Sequence, residues 1–190
     1  MGELIIEGPP VTESNQHPSQ ELPEPFQLDA WGSAKPERFV RLFRRTWDNL
    51  IPHAARDVIR RLCQRSSDGF GNVQYTHDKV VLSGGPSGSA DGQFCYSKYD
   101  NGCHFEFLAC IVERIPDECV CTLVAHELAH CYLTAKSLEH LTRSTAEDEV
   151  AGLLVNDWNL SPGALDRMDE QTNVARALVA MIGLQQSPPG

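Results

Sequence analysis

An α+β domain is the fold class the sequence predicts, on three observations. Apolar residues recur at helical spacing after Pro36, two strand-like runs flank Asn101-Gly102, and a long apolar helix follows them ahead of further helical segments. The expected order is N-terminal helices, a small antiparallel sheet, a central helix and C-terminal helices. At 190 residues, 41% hydrophobic and 22% charged, the chain has material for one such domain with a real core.

Residues 1–35 read as an acidic, Pro-rich tail that buries too little apolar surface to offset its ordering entropy; 36–190 read as the domain. Residues 1–36 hold six of the twelve prolines. Phe26, Leu28 and Trp31, at the end of this tail, are candidates to dock on the domain. From Pro36, Phe39, Phe43, Trp47 and Leu50 line one helical face, with Arg38, Arg41, Arg44 and Arg45 off it. Pro52 ends that helix. A second runs over about 53–65, with Ala55, Val58, Ile59 and Leu62 inward.

The Gly- and Ser-rich stretch 66–92 contains one expected strand, 71–82. Runs 94–99 and 103–112 then flank Asp100-Asn101-Gly102, a hairpin signal because both central residues of such a turn need φ > 0. Pro116-Asp117 opens a helix over about 118–136. Two more are expected near 145–158 and 162–184, the latter started by Ser161-Pro162.

Charge excludes some functions. The net charge of −10 argues against a general phosphate-backbone binder. Its distribution is uneven: 1–34 carry six acids and no bases, 35–65 nine bases and three acids, 66–190 seven bases and seventeen acids. The arginines of 38–65 read first as a solvated helix face, and second as a surface across which the acidic tail folds. Nothing aromatic is interleaved with them as a base-stacking platform, so nucleic acid is not an expected partner. No run reaches the ~18–20 apolar residues of a membrane span. The N-terminus shows no basic-then-apolar leader pattern, so a cytoplasmic location is expected. Seven cysteines without CxxC spacing are expected to be mostly reduced, buried thiols.

His126-Glu127-Leu128-Ala129-His130 is an HExxH sequence. Residues i and i+4 share a helix face, so both imidazoles can reach one Zn²⁺. Glu127 lies ~100° round the helix, placed to act as general base on a metal-activated water without being a ligand. The plain alternative is a structural histidine pair. Yet two histidines and a glutamate inside so apolar a helix are costly unless something satisfies them.

A catalytic zinc usually has three protein ligands. Leu133 and Lys136 stand where a metzincin continuation needs Gly and His, so the third ligand is sought in Glu147-Asp148-Glu149. Ser144-Thr145-Ala146-Glu147 is also a capping box, which gives these acids a second role. At ~100° per residue, the apolar face of Val150, Ala151, Leu154, Val155 and Trp158 centres near Glu147. Asp148 falls at its edge and Glu149 points away. Glu147 is favoured, Asp148 is the alternative, and Glu149 is the third choice.

HELAH followed by Glu147-Asp148-Glu149-Val150-Ala151, Leu153-Leu154 and Trp158 resembles the gluzincin group. It is most similar to small zincins of the ImmA/IrrE-like kind, over about 118–160. The resemblance implies a minimal zincin-like domain and a zinc-dependent peptidase acting on a peptide or protein. It also implies a ligand role for the first Glu of the second motif, Glu147 in this register, or Asp148 if the match is anchored on Trp158. The Asp or Asn that the group carries after its Ala is replaced by Ala151 or Gly152, so a partner for a ligating histidine is missing at that place.

In such enzymes a strand ahead of the active-site helix forms the cleft edge, and 103–112 is the expected one. Tyr75, His77, His104, Tyr132, His140 and Arg143 are the available oxyanion donors, unranked. The competing classes are a non-proteolytic partner-binding protein with a structural or vestigial zinc site, and a zinc hydrolase of non-peptide amides.

Overall fold

The computed structural model describes residues 21–30, 35–76, 92–140 and 147–185, with backbone alone at 139–140 and 183–185. The elements are β1 (Phe26–Ala30), α1 (Glu37–Asn49), α2 (His53–Cys63), β2 (Gly71–Thr76), β3 (Gly92–Ser97), β4 (Gly102–Leu108) and α3 (Ala109–Val112). They continue with α4 (Asp117–His140), α5 (Glu147–Gly152), a π-helical turn (Leu153–Asp157) and α6 (Pro162–Gln185). The fold class is α+β. No described helix is long and apolar enough to cross a membrane.

The sheet is mixed rather than antiparallel, in the order β1-β2-β4-β3. β1 runs parallel to β2, with Phe26 opposite Gly71, and β2 runs parallel to β4, with Tyr75 opposite Phe107. Only β3 and β4 are antiparallel, with Phe94 opposite Phe105. The reason is topological: α1 and α2 form the crossover between β1 and β2, and a crossover returns the chain in the same direction. The hairpin was the part with a local signal. In its turn only Asn101 is left-handed (φ 51). Gly102 is required for another reason, since a Cβ there would lie 2.7 Å from His104 Nε2 and 2.8 Å from Asp100 Oδ1.

This order also corrects the expected edge strand. β4 lies between β2 and β3, and 109–112, expected as its continuation, is helical. The edge beside the central helix is β3. The domain likewise starts before Pro36, because Leu22 and Phe26 are buried and β1 is a sheet strand. The proline-rich composition hid a five-residue strand whose pairing is entirely non-local. Residues 1–20 and Trp31 lie outside the described residues, as does the 77–82 part of the expected strand.

The core forms where β2 and β4 present Val73, Tyr75, Cys103, Phe105 and Phe107 to the helices. Phe39 of α1 stacks on Tyr75 at 4.6 Å and lies 4.9 Å from Phe107. Phe26 packs edge-on to Phe43 and Trp47, each at 5.0 Å. Each such ring, fully buried, contributes about 1.5–3 kcal/mol.

α4 runs against α1, α2, α6 and β3. Val120, Val124, Ala125, Leu128, Ala129 and Cys131 are fully enclosed, so this helix is apolar around most of its circumference. Its start is fixed by Arg38, whose guanidinium donates to the Asp117 carboxylate and to the carbonyls of Val112 (2.7 Å) and Ile115 (2.8 Å). Arg41, Arg56 and Arg60 also face carboxylates, and Arg44 donates to the Glu21 carbonyl. Arg38 is thus tied into the domain, while Arg41, Arg45, Arg61 and Arg65 stay exposed, as a solvated face expects.

The expected 145–158 helix changes pitch. Trp158 N–H donates to Leu153 O (3.0 Å), and Leu160 N–H to Leu154 O (2.8 Å), which widens the helix before Asn159 (φ 55) ends it. Val150, Leu154 and Trp158 remain its buried side.

Candidate metal centre

The apolar enclosure of α4 leaves His126 and His130 facing one opening, a turn apart. Their rings meet edge-on with centroids 4.7 Å apart, and the two Nε2 atoms are 3.0 Å apart. From the first residue of α5, Glu147 reaches the same point, with Oε2 3.2 Å from His126 Nε2 and Oε1 3.4 Å from His130 Nε2. The three side chains meet the geometric requirement for holding one metal ion, their ligand atoms all lying within 4.8 Å of one another.

The electrostatics suit a cation. Burial, then the neighbouring His130, pulls His126 down to about 4, against the opposing pull of Glu147. Burial likewise lowers His130. Both rings are therefore neutral near pH 7 and offer lone pairs. One proton between the two nitrogens, 3.0 Å apart, makes an N–H···N hydrogen bond that leaves the carboxylate out, whereas a cation between them and the carboxylate satisfies all three groups. The donor set, two imidazoles and one carboxylate, fits zinc.

His126 Nδ1 is buried without a hydrogen-bond partner among the described residues. Metal-ligating histidines usually donate from that second nitrogen to a carboxylate or carbonyl.

Glu127 is 4% exposed, and its carboxyl is pushed up to about 8. Burial is the main cause, the Glu147 charge adds to it, and a hydrogen bond from the Phe94 backbone opposes it. Glu127 therefore sits between α4 and β3, on the wall of the cleft that holds the histidines.

That cleft encloses about 630 Å³. β3 contributes Gly92, Gln93 and Phe94, α5 adds Glu147 and Asp148, and α6 closes the far side with Asp169, Thr172 and Arg176. Asp148 lines the cleft, while Glu149 does not and is exposed.

Of the expected oxyanion donors, those among the described residues, Tyr75, His104 and Tyr132, do not line the cleft. Tyr75 is stacked in the core on Phe39, His104 pairs with Asp100 at the hairpin turn (3.3 Å), and Tyr132 packs on Trp158. His77 and Arg143, and the side chain of His140, lie outside the described residues. Arg176, Thr172 and Asp169 were not singled out from the sequence. They sit in a long helix whose local pattern says only that one side packs.

No protein-family model, curated protein or solved structure matches the chain.

Proposed function

We propose that the protein is a zinc-dependent metallopeptidase, hydrolysing peptide bonds in a peptide or protein substrate with Glu127 as general base. The observation that carries this reading is the convergence of His126, His130 and Glu147 on one point in a cleft that Glu127 also lines. A zinc ion held by those three side chains would supply Lewis acidity toward water and toward a substrate carbonyl. Glu127, in its carboxylate form, accepts the proton of the attacking water and passes it to the leaving amine. Its enclosure keeps bulk water from competing for that proton.

β3 supplies the place for substrate. As the edge strand beside α4 it can add an extended peptide along its outer side, bringing a scissile bond past Glu127. Arg176, on the opposite wall, is the cleft's one guanidinium among the described residues and supports a role in holding the carbonyl oxygen or a substrate carboxylate.

A non-proteolytic partner-binding protein with a structural or vestigial metal site is the second reading, favoured by His126 Nδ1, which has no hydrogen-bond partner among the described residues. Elemental analysis of purified protein, with His126→Ala as control, combined with a peptide-library assay of wild type and Glu127→Gln, separates the two. The enzyme reading expects about one zinc per chain, cleavage by wild type, and no cleavage by zinc-loaded Glu127→Gln. Zinc without cleavage leaves the binding reading. No zinc uptake in wild type removes the enzyme reading and leaves the binding one.

A further inference from the structure

Three of the seven cysteines meet inside the core, remote in sequence and supplied by three different elements. Cys63 is the last residue of α2, Cys103 is the second of β4, and Cys131 follows His130 on α4. None is more than 1% exposed, and their sulfurs all lie within 4.8 Å of one another. We propose that Cys63, Cys103 and Cys131 form a second metal site, which takes a soft, thiophilic cation through three sulfurs.

An isolated buried cysteine is a small hydrophobe and needs no explanation. Buried Cys119 fits that description, and half-buried Cys121 is likewise isolated, each with its sulfur toward a backbone carbonyl, of Arg167 and Leu42 respectively. The other three differ because their side-chain hydrogen bonds are to one another. Packing holds them there: a Cβ on Gly71 would come within 2.9 Å of Cys63 Sγ.

The donor chemistry selects the ligand class. Sulfur donors favour copper(I), zinc and their heavier relatives over hard cations. Structural zinc almost always takes four ligands, and the group holds three among the described residues. The three sulfurs lie within the hydrophobic core, so a fourth position filled by water is disfavoured. Those features favour a closed-shell cation content with three sulfurs, of the copper(I) type. Each thiol releases its proton to solvent as it binds the cation as thiolate, so uptake strengthens as pH rises.

The site shares no ligand with the histidine centre and does not depend on the peptidase reading. Cys131 lies ~100° round α4 from His130. A cation there would tie α2, β4 and α4 together behind the cleft, stabilising the fold by its own binding free energy.

Cadmium is the probe, because its nuclear resonance moves far downfield with sulfur ligands and its thiolate complexes absorb in the ultraviolet. The reduced, metal-stripped full chain is titrated with Cd²⁺ without oxygen. The expected result is about one equivalent with the sulfur-rich resonance and absorption, retained in His126→Ala and in Cys121→Ser and lost in Cys103→Ser. A raised Tm accompanies it. Copper(I), offered against a chromophoric copper(I) chelator, is expected to be withdrawn in the same proportion. The wild-type resonance alone decides the matter if Cys103→Ser fails to fold. A wild type with no sulfur-rich cadmium signal, a signal undiminished in a folded Cys103→Ser, or a disulfide joining two of the three in freshly isolated protein would each overturn the proposal.

Discussion

Gly92 stands directly over Glu127: a Cβ at Gly92 would come within 3.2 Å of both Cγ and Oε1 of that glutamate, and 3.1 Å from Leu123 Cδ1. The edge strand thus approaches the central helix as closely as a residue without a side chain permits, at the place where the proposed base sits.

Gly92→Ala is therefore expected to displace the strand or the glutamate by a few tenths of an ångström. Zinc content should stay at the wild-type level while kcat falls about tenfold, because small misplacements of a reacting group are costly. Metal analysis and steady-state kinetics on the same sample check it.

Glu147 and Glu149 provide a paired comparison on one short helix. Glu147→Ala is expected to weaken zinc binding by about 10²-fold or more, since it removes one of three donors. Glu149→Ala, whose side chain does not line the cleft, is expected to leave affinity unchanged. Competition with a chromophoric chelator reads both.

Glu127 gives a pH signature in the metal-free protein. Its folded value, about 8, lies above its ordinary value of 4.5. A carboxyl raised in this way favours the fold fully below about pH 4.5, and that contribution is lost as pH rises to about 8. Relative to metal-free Glu127→Gln, the metal-free wild type should lose about 1 kcal/mol of stability per pH unit between pH 5 and 8. Denaturant midpoints of the two proteins across that window test the sign; a constant difference would refute the buried, protonated glutamate.

Arg38 anchors the start of the helix that carries both histidines. Arg38→Ala leaves the Val112 and Ile115 carbonyls without this donor and removes its ion pair with Asp117. A loss of about 1–3 kcal/mol is expected in urea denaturation. Zinc binding by the folded fraction should be unaffected.

What could be read from the sequence was what local periodicity encodes. The stripe of Phe39, Phe43 and Trp47, the hairpin at Asn101 (with that residue alone left-handed) and the helix around HELAH are present, because each is a short-range pattern. The parallel pairing of β1 with β2 has no short-range signal, and Phe26–Ala30 follows a cis Glu24-Pro25 peptide in a proline-rich stretch that reads as tail.

At the site, helical angles singled out Glu147 by expecting a carboxylate on a buried face. The structure brings Glu147 to both histidines, yet its side chain is 74% exposed, reaching across an open cleft from the first turn of α5. The angular argument concerned one helix and carried no information about the gap between two. The three-cysteine cluster was invisible for the same reason, since nothing in the spacing of Cys63, Cys103 and Cys131 announces that they meet.

The placement of β1 has a practical side for anyone shortening this chain. Composition invites a cut at Pro36, which would discard the Pro-rich segment as dispensable. Such a cut would strip β2 of its outer neighbour and leave a ready-made template for intermolecular strand pairing. It would also empty the slot that Phe26 fills among Phe43, Trp47 and Phe105. A truncation begun before Leu22 keeps the sheet whole; one begun at Pro36 would yield a precipitate whose failure says nothing about the cleft on the sheet's other flank.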